Sequence, residues 1–114
     1  MDRSRKVNKA ENFTPYYAVI FTSIQTETLD GYLEMAQQME TLAKQQKGFI
    51  GLDSARSSIG ITVSYWKSLE AIAAWKQQTD HIIAQQKGIK NWYAYYNVKI
   101  CKVEREYSFE KLSP

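Results

Sequence analysis

Aromatic residues are the chemically most distinctive group in this sequence. They make up 13% of the 114 residues, with three tryptophans and a dense cluster at residues 92–96. Aromatic rings that also carry a polar atom stack on flat organic molecules and fix them with a few hydrogen bonds. Trp66 and Trp75 are therefore candidate pocket residues, although a place in the hydrophobic core stays open for both.

His81 is the single histidine and the one candidate for acid–base work. A histidine side chain can exchange a proton near neutral pH, and it can also bind a haem iron. Its position after Asp80, in a polar stretch of a predicted helix, equally suits a surface histidine without a catalytic role. Both interpretations stay open from the residues alone.

The common catalytic motifs are absent from the sequence. Its five glycines never cluster into a phosphate-binding loop, which excludes a Rossmann-type site for flavin or nicotinamide. His81 and the single cysteine, Cys101, stand 20 positions apart and lack the spacing of zinc ligands. We interpret Cys101 as a small buried strand residue, because no base is obvious near it.

Length and composition indicate one folded domain. The chain is 44% apolar and 24% charged, as in ordinary globular proteins, and 114 residues leave room for one core. The longest apolar run, residues 16–21, is much shorter than the roughly 20 residues that cross a bilayer. The charged start lacks the pattern of a secretory signal, and one cysteine excludes an internal disulfide. We expect a cytoplasmic protein without a membrane partner.

Positive charge is concentrated near the amino terminus. Residues 1–14 hold four basic and two acidic residues, whereas the rest of the chain balances eleven basic against ten acidic ones. A domain so close to neutral lacks the charge that drives binding to nucleic-acid phosphates. We expect no nucleic-acid partner, a flexible basic tail over residues 1–14 and a single domain over residues 15–114.

Hydrophobic spacing predicts the elements that must position the candidate residues. Residues 16–24 are rich in aromatic and β-branched side chains and are apolar on both parities, which predicts a strand covered on both faces. Asp30 is a plausible N-cap for a helix whose apolar residues recur from Tyr32 at spacings of three and four. Gly48 is expected to end that helix in a left-handed conformation.

A hairpin and a second helix follow. Residues 49–57 and 61–66 predict two strands joined by a turn of serine and glycine. Ser68 is a good N-cap for a helix that continues to near Gly88.

The last strand, residues 94–107, is long enough to extend beyond the sheet. Its apolar residues are even-numbered up to Ile100 and odd-numbered from Cys101, which predicts a bulge there. The order βαββαβ is typical of an α+β, ferredoxin-like fold, with one antiparallel four-stranded sheet and both helices on one face. The bare face predicts that two sheets pair in a symmetric homodimer.

Four segments resemble the antibiotic biosynthesis monooxygenase family: residues 16–23, 48–51, 54–56 and, most specifically, 64–75. The resemblance covers residues 16–110, and the chain is similar to small, uncharacterised members of the bacillus type. It implies a dimeric α+β barrel. Some members oxidise electron-rich phenols with O2 and use no metal or flavin, and others bind and degrade haem.

The resemblance also implies roles for individual residues. In both groups the ligand lies between the sheet and the helices, and Trp75 matches a tryptophan that ruffles the haem in haem-degrading members. His81 stands several residues before their haem-ligating histidine, and Phe21 lies near the position of their first-strand asparagine. These two departures favour an oxygenase that acts on an aromatic substrate.

The resulting hypothesis is a homodimeric monooxygenase that oxidises a small aromatic or quinol-type substrate with O2 and needs no cofactor. Trp66, Trp75, Tyr65 and Phe21 are expected to line the pocket, and His81 to accept a proton. Two alternatives stay open. One is a dimer that binds a hydrophobic ligand without turnover, and the other is a haem-binding or haem-degrading monooxygenase.

Overall fold

The structure is a computed structural model that describes residues 4–8, 13–85 and 91–112. Its elements are β1 (Ser4–Asn8), β2 (Tyr16–Gln25), α1 (Tyr32–Lys44), β3 (Phe49–Arg56), β4 (Gly60–Trp66), α2 (Leu69–Gln85), β5 (Tyr93–Val103) and β6 (Tyr107–Lys111). Strands β3, β4, β2 and β5 form, in that order, one antiparallel sheet, and β1 pairs with β6. The elements from β2 to β5 confirm the predicted α+β, ferredoxin-like order.

Both ends of α1 differ in detail from the prediction. Gly31, and not Asp30, occupies the N-cap position with a φ of 81°, and no side chain caps this end. The Asp30 carbonyl instead accepts a hydrogen bond from Trp92 Nε1 at 2.9 Å. The helix ends at Lys44, and Gly48 follows with the expected positive φ of 87°.

The second helix begins as predicted. The backbone N–H of Ala71 donates to Ser68 Oγ at 3.1 Å, which is the N-cap hydrogen bond. The predicted end near Gly88 lies outside the described residues. The α2 residue Ile82 enters the main core, where it packs with Met35 of α1 and with Trp92.

Strand registers decide which side chains face the helices. Trp66 of β4 contacts Trp75 of α2, so the even-numbered residues of β4 face the helices. Phe21 lies opposite Thr62 on β4 and Val98 on β5, so all three share this helix side. The other face of the sheet, which the helices do not cover, is called the open face below.

The predicted bulge at Ile100 and Cys101 was wrong. The β2–β5 register runs unbroken from Val103 to Tyr95 and shifts only at the other end of the pair, between Ile24 and Gln25. The parity of the apolar residues changes because β5 carries apolar side chains on both faces. Cys101 is exposed and not buried, since it lies on the open face.

Strands β1 and β6 form a two-stranded arm that makes few contacts with the rest of the chain. In this arm Ser4 pairs with Lys111 and Asn8 with Tyr107. Residues 1–3 and 9–12 of the predicted tail lie outside the described residues. The radius of gyration is 17.0 Å, whereas a compact chain of this length has one of about 13 Å. The molecule is therefore elongated.

Candidate functional site

One transverse row on the helix side takes a residue from each of the four strands. Arg56 lies opposite Gly60, Gly60 opposite Ser23, and Ser23 opposite Tyr96. Neighbouring strands are about 4.8 Å apart. The Arg56 side chain must therefore cross two strand spacings to reach Ser23.

Gly60 lets the Arg56 side chain lie flat against the sheet. A Cβ atom at position 60 would overlap Nη2, Cζ and Nε of Arg56, so the guanidinium fills the space of the missing side chain. Arg56 Nη2 donates a hydrogen bond to Ser23 Oγ. Because Ser23 is completely buried, this hydrogen bond anchors one end of the guanidinium at a fixed point on the sheet.

Tyr96 in this row and two rings beside the row, Phe21 and Tyr93, are together called the aromatic wall below. The Phe21 ring stacks on Tyr96 at 5.7 Å and 22°, and it meets Tyr93 edge-on at 5.7 Å and 72°. Tyr32 at the start of α1 contacts Tyr93 edge-on at 6.1 Å. The wall therefore joins the sheet to the first turn of α1, and it presents ring surfaces that suit a flat ligand.

Tyr93 connects the aromatic wall with Arg56 electrostatically. Burial raises the pKa of Tyr93 far above the ordinary tyrosine value, and the charge and hydrogen bond of the Tyr32 hydroxyl raise it further. The positive charge of Arg56 acts in the opposite direction. Tyr93 is therefore a neutral phenol at physiological pH, and its hydroxyl can still serve as a proton donor.

A second aromatic group lies at the other end of β4. Trp66 is completely buried, stacks on Trp75 at 5.9 Å and 27°, and meets Phe49 edge-on at 5.4 Å. Its Nε1 donates a hydrogen bond to Ser64 Oγ at 2.8 Å. The six-residue step from Gly60 to Trp66 corresponds to about 20 Å along the strand, so the two groups bound opposite ends of the helix side.

The structure brings some of the predicted site residues together and separates others. Trp66 and Trp75 are in contact, and Phe21 lies on the same side of the sheet, within the aromatic wall. Tyr65 lies on the open face, where its hydroxyl donates to Asp53 Oδ2 at 3.0 Å. Burial and then this hydrogen bond raise the pKa of Tyr65 above its ordinary value.

His81 lies exposed on α2. It stands six positions after Trp75, a step that turns the two side chains to helix faces about 120° apart. Trp75 contacts Trp66, and Phe21 stacks on Tyr96 where the haem-degrading members place an asparagine. These side chains do not fit a haem held between His81 and Trp75.

Two further kinds of feature are absent from residues 4–8, 13–85 and 91–112. No group of three or more His, Cys, Asp or Glu side chains there is arranged to hold a metal ion. No helix in the same ranges is both long enough and apolar enough to cross a membrane.

Arg56, Ser23 and Tyr93 were not predicted as site residues from the sequence. One signal was present: Ser23 shares the parity of Val19 and Phe21 in an apolar strand, and a buried serine needs a hydrogen-bond partner. The partner itself was not readable from sequence, because it depends on the register of two strand pairs.

Residues 15–87 match the family described as antibiotic biosynthesis monooxygenase. The chain belongs to this family. The uncharacterised protein YqjZ of Bacillus subtilis strain 168 is 46% identical over 99 residues, which cover 85% of this chain and 87% of YqjZ. The match to the family and the similarity to a bacillus protein both confirm the resemblance read from the sequence.

Solved structures share the fold of this family member. SnoaB of Streptomyces nogalater, described as a cofactor-independent oxygenase, has a TM-score of 0.56 at 8% identity and covers 80% of this chain and 92% of its own. A crystal structure of a Shewanella oneidensis protein has a TM-score of 0.65 at 7% identity and covers 87% and 97%. At such identities the likeness shows the fold alone.

Proposed function

We propose that this protein is a monooxygenase that oxidises a small aromatic or quinol-type substrate with O2 and needs no metal or organic cofactor. Membership of the family supports oxygenase chemistry, and the description of SnoaB supports the cofactor-independent form of it. The observation that carries the proposal is the aromatic wall, whose rings suit a flat substrate on the helix side of the sheet.

The reaction draws its electrons from the substrate. An ionised phenol or quinol is electron-rich enough to pass an electron to O2, after which oxygen bonds to the ring carbon. For an anthrone, one oxygen atom replaces the two hydrogens of the methylene as a carbonyl, and the other leaves with those hydrogens as water. The protein must hold the ring, exclude bulk water and accept the first proton.

Within this proposal the predicted residues have distinct roles. Phe21 contributes to the wall against which the substrate ring stacks, and the Trp66–Trp75 pair closes the other end of the cleft. His81 accepts the proton at the exposed edge of α2. Tyr65 lies on the open face, so a role for it in substrate binding needs a pocket on that face.

Two copies are proposed to pair through their open faces. Large apolar side chains exposed on this face include Ile24, Ile61 and Tyr95. The arm and the residue that follows it add three more exposed apolar side chains: Tyr107, Phe109 and Leu112. Apolar surface of this extent is typical of an interface, and a second copy covers it with the same residues by symmetry.

Oxygen uptake with a panel of anthrone-type and quinol substrates tests the proposed reaction. We expect uptake above the rate of substrate alone, insensitive to a metal chelator. Phe21→Ala should lower kcat/KM about fivefold, because a lost ring contact removes roughly 1 kcal/mol of binding. Leu33→Ala, on the exposed outer side of α1, is the matched control and should leave the rate unchanged.

Background uptake with every substrate would contradict the proposal. Saturable quenching of tryptophan fluorescence by the same compounds, without uptake, would instead indicate a protein that binds its ligand and does not turn it over.

A further inference from the structure

Arg56 has hydrogen-bonding capacity that the described protein groups leave unused. A guanidinium carries five N–H donors, and here Nη2 is bonded to Ser23 Oγ. Within the part of the chain that the structure describes, no carboxylate forms an ion pair with Arg56. Ion pairs in that part of the chain include Lys44 with Glu40 and Lys76 with Asp80. The remaining donors of Arg56 can therefore face a ligand.

The guanidinium is also held in place before any ligand arrives. Gly60 provides the surface on which it lies, and the buried Ser23 hydroxyl fixes its far end. A fixed planar guanidinium binds two oxygens of an anionic group side by side. Because little side-chain freedom is left to lose on binding, such an arginine binds anions more tightly than a mobile one.

An apolar strip continues from this charge along β5. Tyr96 ends the same transverse row and is 61% exposed, and Val98 and Ile100 follow on the helix side at 49% and 53%. From β4, under the guanidinium, to β5 the sheet spans two strand spacings, or about 10 Å. That span matches a fused two-ring aromatic molecule with one acidic substituent.

We propose that Arg56 binds an anionic oxygen of the aromatic substrate, and that the rings of this substrate lie along Tyr96. The inference deepens the proposed function and rests on it for the word substrate. An arginine at this point favours the ionised phenol over the neutral one, and the ionised form is also the one that passes an electron to O2.

A pair of matched probes tests this binding without any turnover. Under argon, 2-naphthoate and 2-naphthamide have nearly the same shape and differ in charge. We expect naphthoate to bind about ten- to a hundredfold more tightly, as a charge-assisted hydrogen bond predicts. Arg56→Gln should bring the two affinities to the same value. Arg105→Gln, which removes an exposed arginine outside the sheet, should leave the preference intact.

Gly60→Ala is the sharper variant, since it keeps the positive charge and displaces the guanidinium from its position. We expect it to lose most of the preference for naphthoate, and Ser23→Ala to lose part of it. Far-ultraviolet circular dichroism of each variant shows whether the fold is retained.

Absence of naphthoate binding at millimolar concentration, equal affinity of the wild type for both probes, or a preference that survives Arg56→Gln would each overturn the proposal. Its failure is distinguishable from failure of the proposed function. Charge-selective binding without oxygen uptake would leave the anion site and remove the oxygenase, and uptake without charge selectivity would do the reverse.

Discussion

Gly60 has no side chain, and the Arg56 guanidinium lies in the space that one would fill. The arginine reaches Ser23 only because it can pass directly over this glycine. Three ordinary residues on three strands thus become one arrangement through the strand register. The candidate site therefore depends on the absence of a side chain at Gly60 as much as on the side chains of Arg56 and Ser23.

Gly48 is a second position where the structure requires glycine. It has a φ of 87°, and a Cβ atom there would lie 2.8 Å from Ala71 Cβ of α2. We expect Gly48→Ala to lower the free energy of unfolding by about 2 kcal/mol or more, since a left-handed backbone alone costs an alanine roughly 1–2 kcal/mol. Urea denaturation measures the loss.

Gly51→Ala is the matched control, because a Cβ at position 51 meets no atom within 4 Å. It should change stability by about 0.5 kcal/mol or less. Equal losses of stability in the two variants would contradict the prediction that the positive φ and the close packing at Gly48 make alanine unfavourable there.

Tyr93 makes stability depend on pH in a defined direction. Burial and then the Tyr32 hydroxyl raise its pKa in the folded state, so above about pH 10 the unfolded chain loses a proton that the folded chain keeps. Stability should therefore fall as the pH rises through this range. Tyr93→Phe should be the less stable protein at pH 8 by about 1 kcal/mol, through its lost hydrogen bond.

Urea denaturation at pH 8 and at about pH 11 compares the two proteins. The difference in the free energy of unfolding between the wild type and Tyr93→Phe should be smaller at the higher pH. An unchanged difference would contradict a raised pKa for Tyr93.

Among the helices and strands, the features that depend on neighbouring residues were predicted correctly from the sequence. The α1 stripe, the hairpin and the Ser68 cap were all readable, because each depends on residues a few positions apart. The pairing of β1 with β6 was not, since residues 4–8 carry no alternating apolar pattern and find their partner about a hundred residues away. The parity change in β5 was assigned to a bulge because sequence alone does not separate a bulge from a strand with two apolar faces.

The same distinction applies to the candidate site. Aromatic type and position indicated Trp66 and Trp75, and the family resemblance indicated Phe21. Only the register shows that Phe21 and the two tryptophans lie at different ends of the helix side. Arg56 was noted in the sequence as part of a segment that resembles the family, but not as a site residue. The position of its side chain depends on Gly60 and Ser23, which lie on other strands.

Ser68 tests the start of α2, the helix that carries Trp75 and His81. Its Oγ accepts the N–H of Ala71 at 3.1 Å. Ser68→Ala should lower the free energy of unfolding by about 1 kcal/mol, as is usual for the loss of an N-cap. Ser58→Ala, at an exposed position in the hairpin turn, is the control and should leave the free energy of unfolding nearly unchanged. Thermal denaturation measures both variants. An equal loss of stability in the two would argue against the N-cap.

In the molecule as a whole, the feature that most favours a dimer is the apolar surface that the helices do not cover. The open face and the arm expose apolar side chains, while Tyr16 on that face donates a hydrogen bond to Glu106, next to the arm, at 3.1 Å. This contact ties the start of β2 to the segment between β5 and β6. An elongated chain with an apolar face and an apolar arm is suited to wrap a second copy.

Ile61 provides the test of that assembly. It is 45% exposed on the open face, so Ile61→Asp should place a charge in the proposed interface and shift the protein toward the monomer. Sedimentation equilibrium at micromolar concentration should give twice 13.2 kDa for the wild type. Leu33→Asp, on the outer side of α1 and 70% exposed, should remain dimeric, and a wild-type monomer would contradict the proposal.

We propose that this chain inserts an oxygen atom from O2 into an aromatic substrate without a cofactor. In the most direct measurement, the purified protein reacts with an anthrone under isotopically labelled O2 in the presence of a chelator. Mass spectrometry then determines the mass of the quinone product. We expect one labelled oxygen atom in each product molecule, and we expect the product to form faster than without protein. Product formed no faster than in the protein-free control, or product without the label, would contradict it.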